Sequence, residues 1–225
     1  MSGISLEHLV RTPAPGANVP GVTPPLLMLL HGVRSNERSM ASLASSLDPR
    51  FIVLSVRSPL TLGPDQYAWF TVRFTAGVPV IDAQQAQSGW TRVPELIDEA
   101  VTVFGADPAR VYLGGFSQGG IMTLATLLTA PEKVAGAVVM SGRLLPEVLP
   151  HVVSPERLTG KPILWVHGAS DTVLGIDYLR SATPALKALP LAFTSREFDM
   201  GHSVTPESVA AVSDWLSAQL DNAHG

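Results

Sequence analysis

The chain has 225 residues, a mass of 23.8 kDa, 46% hydrophobic and 15% charged residues, and a formal net charge of −4. That apolar content is enough for one α/β domain with a buried core and excludes a disordered chain, while the acidic balance, without any run of Lys or Arg, excludes the electrostatic footprint of a nucleic-acid or anionic-membrane binder. Cysteine is absent, which excludes disulfides, thiolate metal sites and a cysteine nucleophile.

Residues 1–8 show no basic segment leading into a long apolar stretch, so no secretory signal is expected, and a cytoplasmic protein is the expectation. The longest apolar run, at 26–30, falls far short of the roughly 20 residues that span a bilayer, so stable membrane insertion is not expected. In chain order, short apolar runs bounded by Gly, Pro, Asp or Ser predict strands at 26–30, 51–55, 110–113, 136–140, 163–166 and 192–198. The Pro-rich stretch 13–25 reads as a loop, and 57–81 and 142–162 read as irregular. Ile121, Leu124, Ala125 and Leu128 have the spacing of one helix face. Val209, Val212, Leu216 and Leu220 mark a last helix that opens at Thr205-Pro206-Glu207, with a cap residue, a Pro and an early acid. Strands alternating with helices predict a mostly parallel central sheet with helices on both faces, in a single domain over 1–225. In such a sheet the ligand site lies beyond the carboxyl ends of the strands.

The sharpest motif is Gly115-Phe116-Ser117-Gln118-Gly119, followed by Gly120. It joins an apolar run to an amphipathic helix over 120–129, which is the strand, sharp turn and helix of a nucleophile elbow. The glycines allow the close backbone approach that such a turn needs, and the helix N-terminus favours developing negative charge. Ser117 is therefore the candidate nucleophile of an α/β-hydrolase fold. A serine hydroxyl needs a base, and the order in this fold is Ser, acid, His. His202, between the last strand and the last helix, is the candidate base; His224 abuts the terminal Gly225. Asp171, which follows the run at 163–166 through His167-Gly168, is the candidate acid, with Asp177 and Asp199 as competitors. The backbone N–H of Gln118 and that of Val33, in the loop after 26–30, are the candidate oxyanion donors. His31 and His167, each before a Gly at a strand end, read as buried residues that shape their loops. No His-Glu-x-x-His pattern is present, so no metal site is expected.

These residues resemble the phospholipase/carboxylesterase family of small α/β-hydrolases, which includes bacterial carboxylesterases and acyl-protein thioesterases. The resemblance rests on Leu30-His31-Gly32 with Asn36-Glu37, Trp69-Phe70, Asp107-Pro108 leading into Gly115–Gly120, His167-Gly168 with Asp171, and Gly201-His202. It implies a cofactor-free esterase, monomeric or homodimeric, with its triad on Ser117, Asp171 and His202 and its oxyanion donors on Val33 and Gln118. Two positions depart from the family pattern. Arg34 stands where a Gly is usual, which implies an altered oxyanion loop, a cation at the mouth that meets substrate, or a solvated side chain. After Asp171, Val173-Leu174-Gly175-Ile176 replaces the usual Val-Val-Pro.

The aromatic stretch Tyr67, Trp69, Phe70, Val72 and Phe74 reads either as the wall of an acyl pocket, with Trp69 and Phe70 touching substrate, or as core beneath its loop. The expected reaction is hydrolysis of a small-molecule ester with a small to medium apolar acyl group through an acyl-enzyme. Thioester or lysophospholipid hydrolysis, acyl transfer to another acceptor, and a non-catalytic binding module on the same fold are the alternatives.

Overall fold

The computed structural model describes residues 3–75 and 78–222, and the side chains at 74, 75, 78 and 79 lie outside that description. The chain begins with β1 (His8–Arg11), β2 (Leu26–Leu30), α1 (Glu37–Ala41) and β3 (Ile52–Val56). Four short strands follow, β4 (Leu60–Gly63), β5 (Gln66–Ala68), β6 (Val72–Thr75) and β7 (Val78–Ile81), and then α2 (Ala83–Phe104). The second half contains β8 (Val111–Phe116), α3 (Gln118–Thr129), β9 (Gly136–Met140), β10 (Pro162–Gly168), α4 (Asp177–Ala188), β11 (Ala192–Phe198) and α5 (Pro206–Asn222).

Seven strands form one sheet in the order β1-β3-β2-β8-β9-β10-β11. All neighbours are parallel except β1 against β3. Helices cover both faces, so the central strands are buried on both sides and read as continuous apolar runs. Side-chain alternation divides those runs between two cores. Leu26, Met28 and Leu30 face Trp90 and Leu96 of α2, Leu124 of α3 and Leu186 of α4. Leu27 and Leu29 face Met40 of α1 and Val212, Leu216 and Leu220 of α5. This is the expected α/β-hydrolase architecture.

Several stretches differ from the sequence expectation, and β1, α1 and α4 are not among the predicted elements. The longest helix, α2, is not among the predicted elements. Its buried stripe of Ala86, Gly89, Trp90, Val93, Leu96, Ile97 and Ala100 has helical spacing, but Gly89 and Pro94 interrupt the composition expected of a helix interior. Residues 57–81 are not irregular: β4 pairs with β5 and β6 with β7 in two small antiparallel hairpins. The stretch 142–162 holds two short 3-10 segments, Pro146–His151 and Pro155–Leu158. Among the described residues no helix is long and apolar enough to cross a membrane.

The junction between β8 and α3 leaves no room for a side chain. A Cβ on Gly119 would lie 2.0 Å from the carbonyl oxygen of Leu30, at the end of β2. Both partners are backbone, so neither can rotate away. Gly119→Ala is therefore expected to destabilise the fold by about 3 kcal/mol or more, read as a lowered melting temperature with α3 unseated from β2.

Candidate active site

Ser117 sits between the last residue of β8 and the first of α3, with φ 54° and ψ −117°. A left-handed φ is strained for a non-glycine residue. The strain is held by the surroundings: the Ser117 N–H donates to Met140 O at 2.8 Å, and its carbonyl accepts from Ile121 N–H at 3.0 Å. The helix behind it is buried at every position from Gln118 to Leu128. Ser117 itself is 7% exposed.

Asp171 and His202 come from the two neighbouring strand ends, β10 and β11. The two loops touch where Gly168 passes the backbone of Met200, so closely that a Cβ would lie 2.3 Å from Met200 O. The Ser170 N–H donates to Met200 O across the same gap. Asp171 is buried, and its Oδ1 accepts the N–H groups of Val173 and Leu174, each at 2.8 Å. Its Oδ2 lies 2.7 Å from His202 Nδ1. His202 Nε2 lies 2.9 Å from Ser117 Oγ. A carboxylate only accepts, so the imidazole proton sits on Nδ1 and the Nε2 lone pair faces the serine hydroxyl. Phe116 packs against the imidazole, with ring centroids 4.9 Å apart. The geometry thus brings Ser117, Asp171 and His202 into one hydrogen-bonded line. Asp177 and Asp199 are exposed, and neither bonds to His202 among the described residues. His224 lies outside the described residues.

The two other strand-end histidines are held by their loops. His31 is fully buried; its Nδ1–H donates to Gly32 O at 2.7 Å and its Nε2 accepts the Ser58 N–H at 3.0 Å. Burial holds its pKa below the usual histidine value. His167 Nδ1 accepts from Trp165 Nε1–H at 3.2 Å, and its Nε2–H donates to Leu174 O at 2.7 Å. Both residues shape loops, as expected.

The loop after β2 carries Val33 and Arg34. Among the described residues the N–H groups of Val33 and Gln118 have no acceptor, while the next one along, on Arg34, donates to Tyr67 O at 2.9 Å. Tyr67 in turn donates its N–H to Ser35 O at 2.9 Å. Below the loop, Glu37 and Arg57 form a bidentate pair with both bonds at 2.7 Å. Those bonds hold the Glu37 carboxyl down to about 2. The Arg57 guanidinium also covers the Tyr67 ring, 4.5 Å from its centroid. Arg34 has φ 61°, the left-handed region that favours glycine, and its side chain is exposed. The Arg is accommodated at this position at a cost in backbone strain.

Trp69 and Phe70 do not line an open wall. Each is 1% exposed and belongs to the core shared with α2 and α3, so an acyl chain has no access to them. Of the two readings of this aromatic stretch, burial selects core for both; the Phe74 side chain lies outside the described residues. What the sequence did not reveal is the use of their backbone. The Gln118 side-chain amide accepts the Trp69 N–H and donates to Phe70 O, both at 2.7 Å.

Two outcomes are expected. Arg34→Gly relieves the left-handed strain and raises stability by about 1 kcal/mol, or roughly 2–4 °C in melting temperature. His31 is neutral in the folded state, while the unfolded chain takes up a proton as pH falls through about 6.5. Its contribution to stability is therefore complete above that pH and is lost as pH falls toward the lower folded value. Melting temperature measured against pH should decline on the acid side, and His31→Asn should flatten that decline.

The profile of the phospholipase/carboxylesterase family matches residues 22–220. Carboxylesterase SOBER1 of Arabidopsis thaliana is 30% identical over 159 residues, covering 68% of either chain. Acyl-protein thioesterase 1 of Eremothecium gossypii is 30% identical over 164 residues, which are 68% of this chain and 66% of that protein. The solved structure of the Bacillus cereus carboxylesterase superposes with a TM-score of 0.77 at 23% identity, covering 96% of this chain and 95% of that one, a likeness of fold. With a family match across most of its length, the chain belongs to the phospholipase/carboxylesterase family and is an enzyme of the serine-hydrolase type.

Proposed function

We propose that the protein is a carboxylesterase in which Ser117 is the nucleophile, His202 the general base and acid, and Asp171 the group that orients the imidazole. The observation that carries this reading is the His202 ring, bonded to Asp171 at 2.7 Å on one side and facing Ser117 Oγ at 2.9 Å on the other. His202 Nε2 takes the serine proton as Oγ bonds to the ester carbonyl carbon. The carbonyl electron pair moves to oxygen, where the free N–H groups of Val33 and Gln118 receive it. Collapse expels the alcohol, protonated by His202. Water then attacks the acyl-enzyme with His202 again as base, which releases the acid and restores Ser117.

The rim of the site supports an apolar acyl group of small to medium size. Val33, whose own N–H is the first oxyanion donor, is 38% exposed, and Val173, whose N–H bonds to Asp171, is 65% exposed. Arg34, on the same loop, supplies a cation at the mouth for a polar end of the substrate. A thioester fits the same line of groups, and the relative named as an acyl-protein thioesterase favours it as the second reading. We further infer one hydrolase domain over 1–225, working in the cytoplasm as a monomer or homodimer without metal or cofactor, with a small-molecule ester as its ligand.

Ser117→Ala should lower kcat by roughly 10⁶-fold, and Asp171→Asn by roughly 10⁴-fold, with circular dichroism unchanged. A panel of p-nitrophenyl esters and matched thioesters of increasing chain length is expected to peak at short to medium esters. Wild-type turnover by Ser117→Ala would remove the mechanism, and a peak on thioesters would select the second reading.

A further inference from the structure

The Gln118 side chain is a second functional part of that residue, separate from its backbone N–H. It is 2% exposed and spends both halves of its amide on one short segment. Its Oε1 accepts the N–H of Trp69 and its Nε2–H donates to the carbonyl of Phe70. The segment is anchored at that point by the Trp69 and Phe70 side chains, each 1% exposed in the core. Two residues earlier, Tyr67 pairs with the oxyanion loop through Arg34 N–H to Tyr67 O and Tyr67 N–H to Ser35 O, both at 2.9 Å. Val33 immediately precedes Arg34. The free N–H of Gln118 and the free N–H of Val33 are thus joined by a strap over residues 67–70.

We propose that the Gln118 side chain is a positioning group that sets the separation of the two oxyanion donors by clamping this strap. This rests on the hydrolase reading of the site. An oxyanion hole lowers a barrier to the extent that its donors are in place before charge develops, so a donor pair free to drift loses part of its effect. The residue type fits the task. An N–H and a C=O on consecutive residues call for one acceptor and one donor on the same planar group, which an amide supplies and a thioether or carboxylate does not. The side chain meets no substrate, and the N–H that does meet it belongs to the same residue.

The test replaces the side chain and keeps the backbone N–H. Gln118→Met removes both clamp bonds at similar length. With p-nitrophenyl butyrate, kcat is expected to fall roughly tenfold to hundredfold, with KM changed by less than about threefold. Affinity for a trifluoromethyl ketone, whose tetrahedral adduct places an oxyanion in the same hole, should fall by the same factor as kcat. Gln118→Glu, which keeps the acceptor for Trp69 and loses the donor to Phe70, should lie between the two; if Gln118→Met does not fold, Gln118→Glu decides by the same readouts. Gln85→Met is the control: it loses a comparable 2.8 Å bond to the Thr71 N–H, just beyond the strap, and should leave kcat unchanged. Unchanged kcat and ketone affinity in the Gln118 variants, a rise in KM alone, or an equal loss in Gln85→Met would overturn the proposal. Activity surviving in Ser117→Ala would instead overturn the hydrolase reading, so the two failures are distinguishable.

Discussion

At one point the backbone of a helix rests directly on the backbone of a strand, with Gly119 of α3 against Leu30 of β2. The approach leaves no space for a methyl group, and much of the site is arranged around it. It puts the start of α3 beside the loop that leaves β2, so the Gln118 and Val33 N–H groups belong to adjoining segments. It also forces a turn too sharp for an ordinary residue, and Ser117 takes up the left-handed φ. Strain of that kind persists only where the surroundings determine it. Here the whole inner length of α3 is buried against the sheet, and Met140 accepts the serine N–H. Packing energy remote from the site thus holds Ser117 in a conformation that an isolated loop would relax.

Three histidines at strand ends show how hydrogen-bond partners separate structure from chemistry. In His31 both ring nitrogens are occupied by loop backbone groups, and in His167 by an indole N–H and a carbonyl. Each is held by its loop, with neither ring nitrogen left free. His202 has a carboxylate on one nitrogen and a hydroxyl on the other. The same side chain is a strut in two places and a bridge between two side chains in the third. His167 and Asp171 also brace the same loop, one at Leu174 O and the other at the Leu174 N–H, which fixes Asp171 beside His202.

The sheet was legible because its central strands are buried on both faces and stand out as apolar runs. Two elements were less so. α2 has a clear buried stripe, but Gly89 and Pro94 lie within the helix, and a Cβ at Gly89 would approach Met122 Sδ to 2.8 Å, so that the Met side chain would have to shift. The hairpins of 60–81 are only three or four residues a strand, too short for periodicity to register. Trp69 and Phe70 read from the sequence as substrate-binding residues, since an aromatic residue suits a pocket wall as well as a core, and only their burial places them in the core.

By itself the sequence determined the fold class and singled out the residues proposed for the site. Apolar runs, an elbow motif between a strand and a helix, and an acid and a histidine in the right order are local features or matters of order along the chain. Tertiary structure alone decided how those residues engage one another. That His202 meets Asp171 and Ser117 together, that Arg34 must adopt a glycine conformation, and that Gln118 clamps Trp69 across 49 positions in the chain all depend on the packing of distant elements. Periodicity reports what a segment buries; it carries no information about the segment on the other side of the contact.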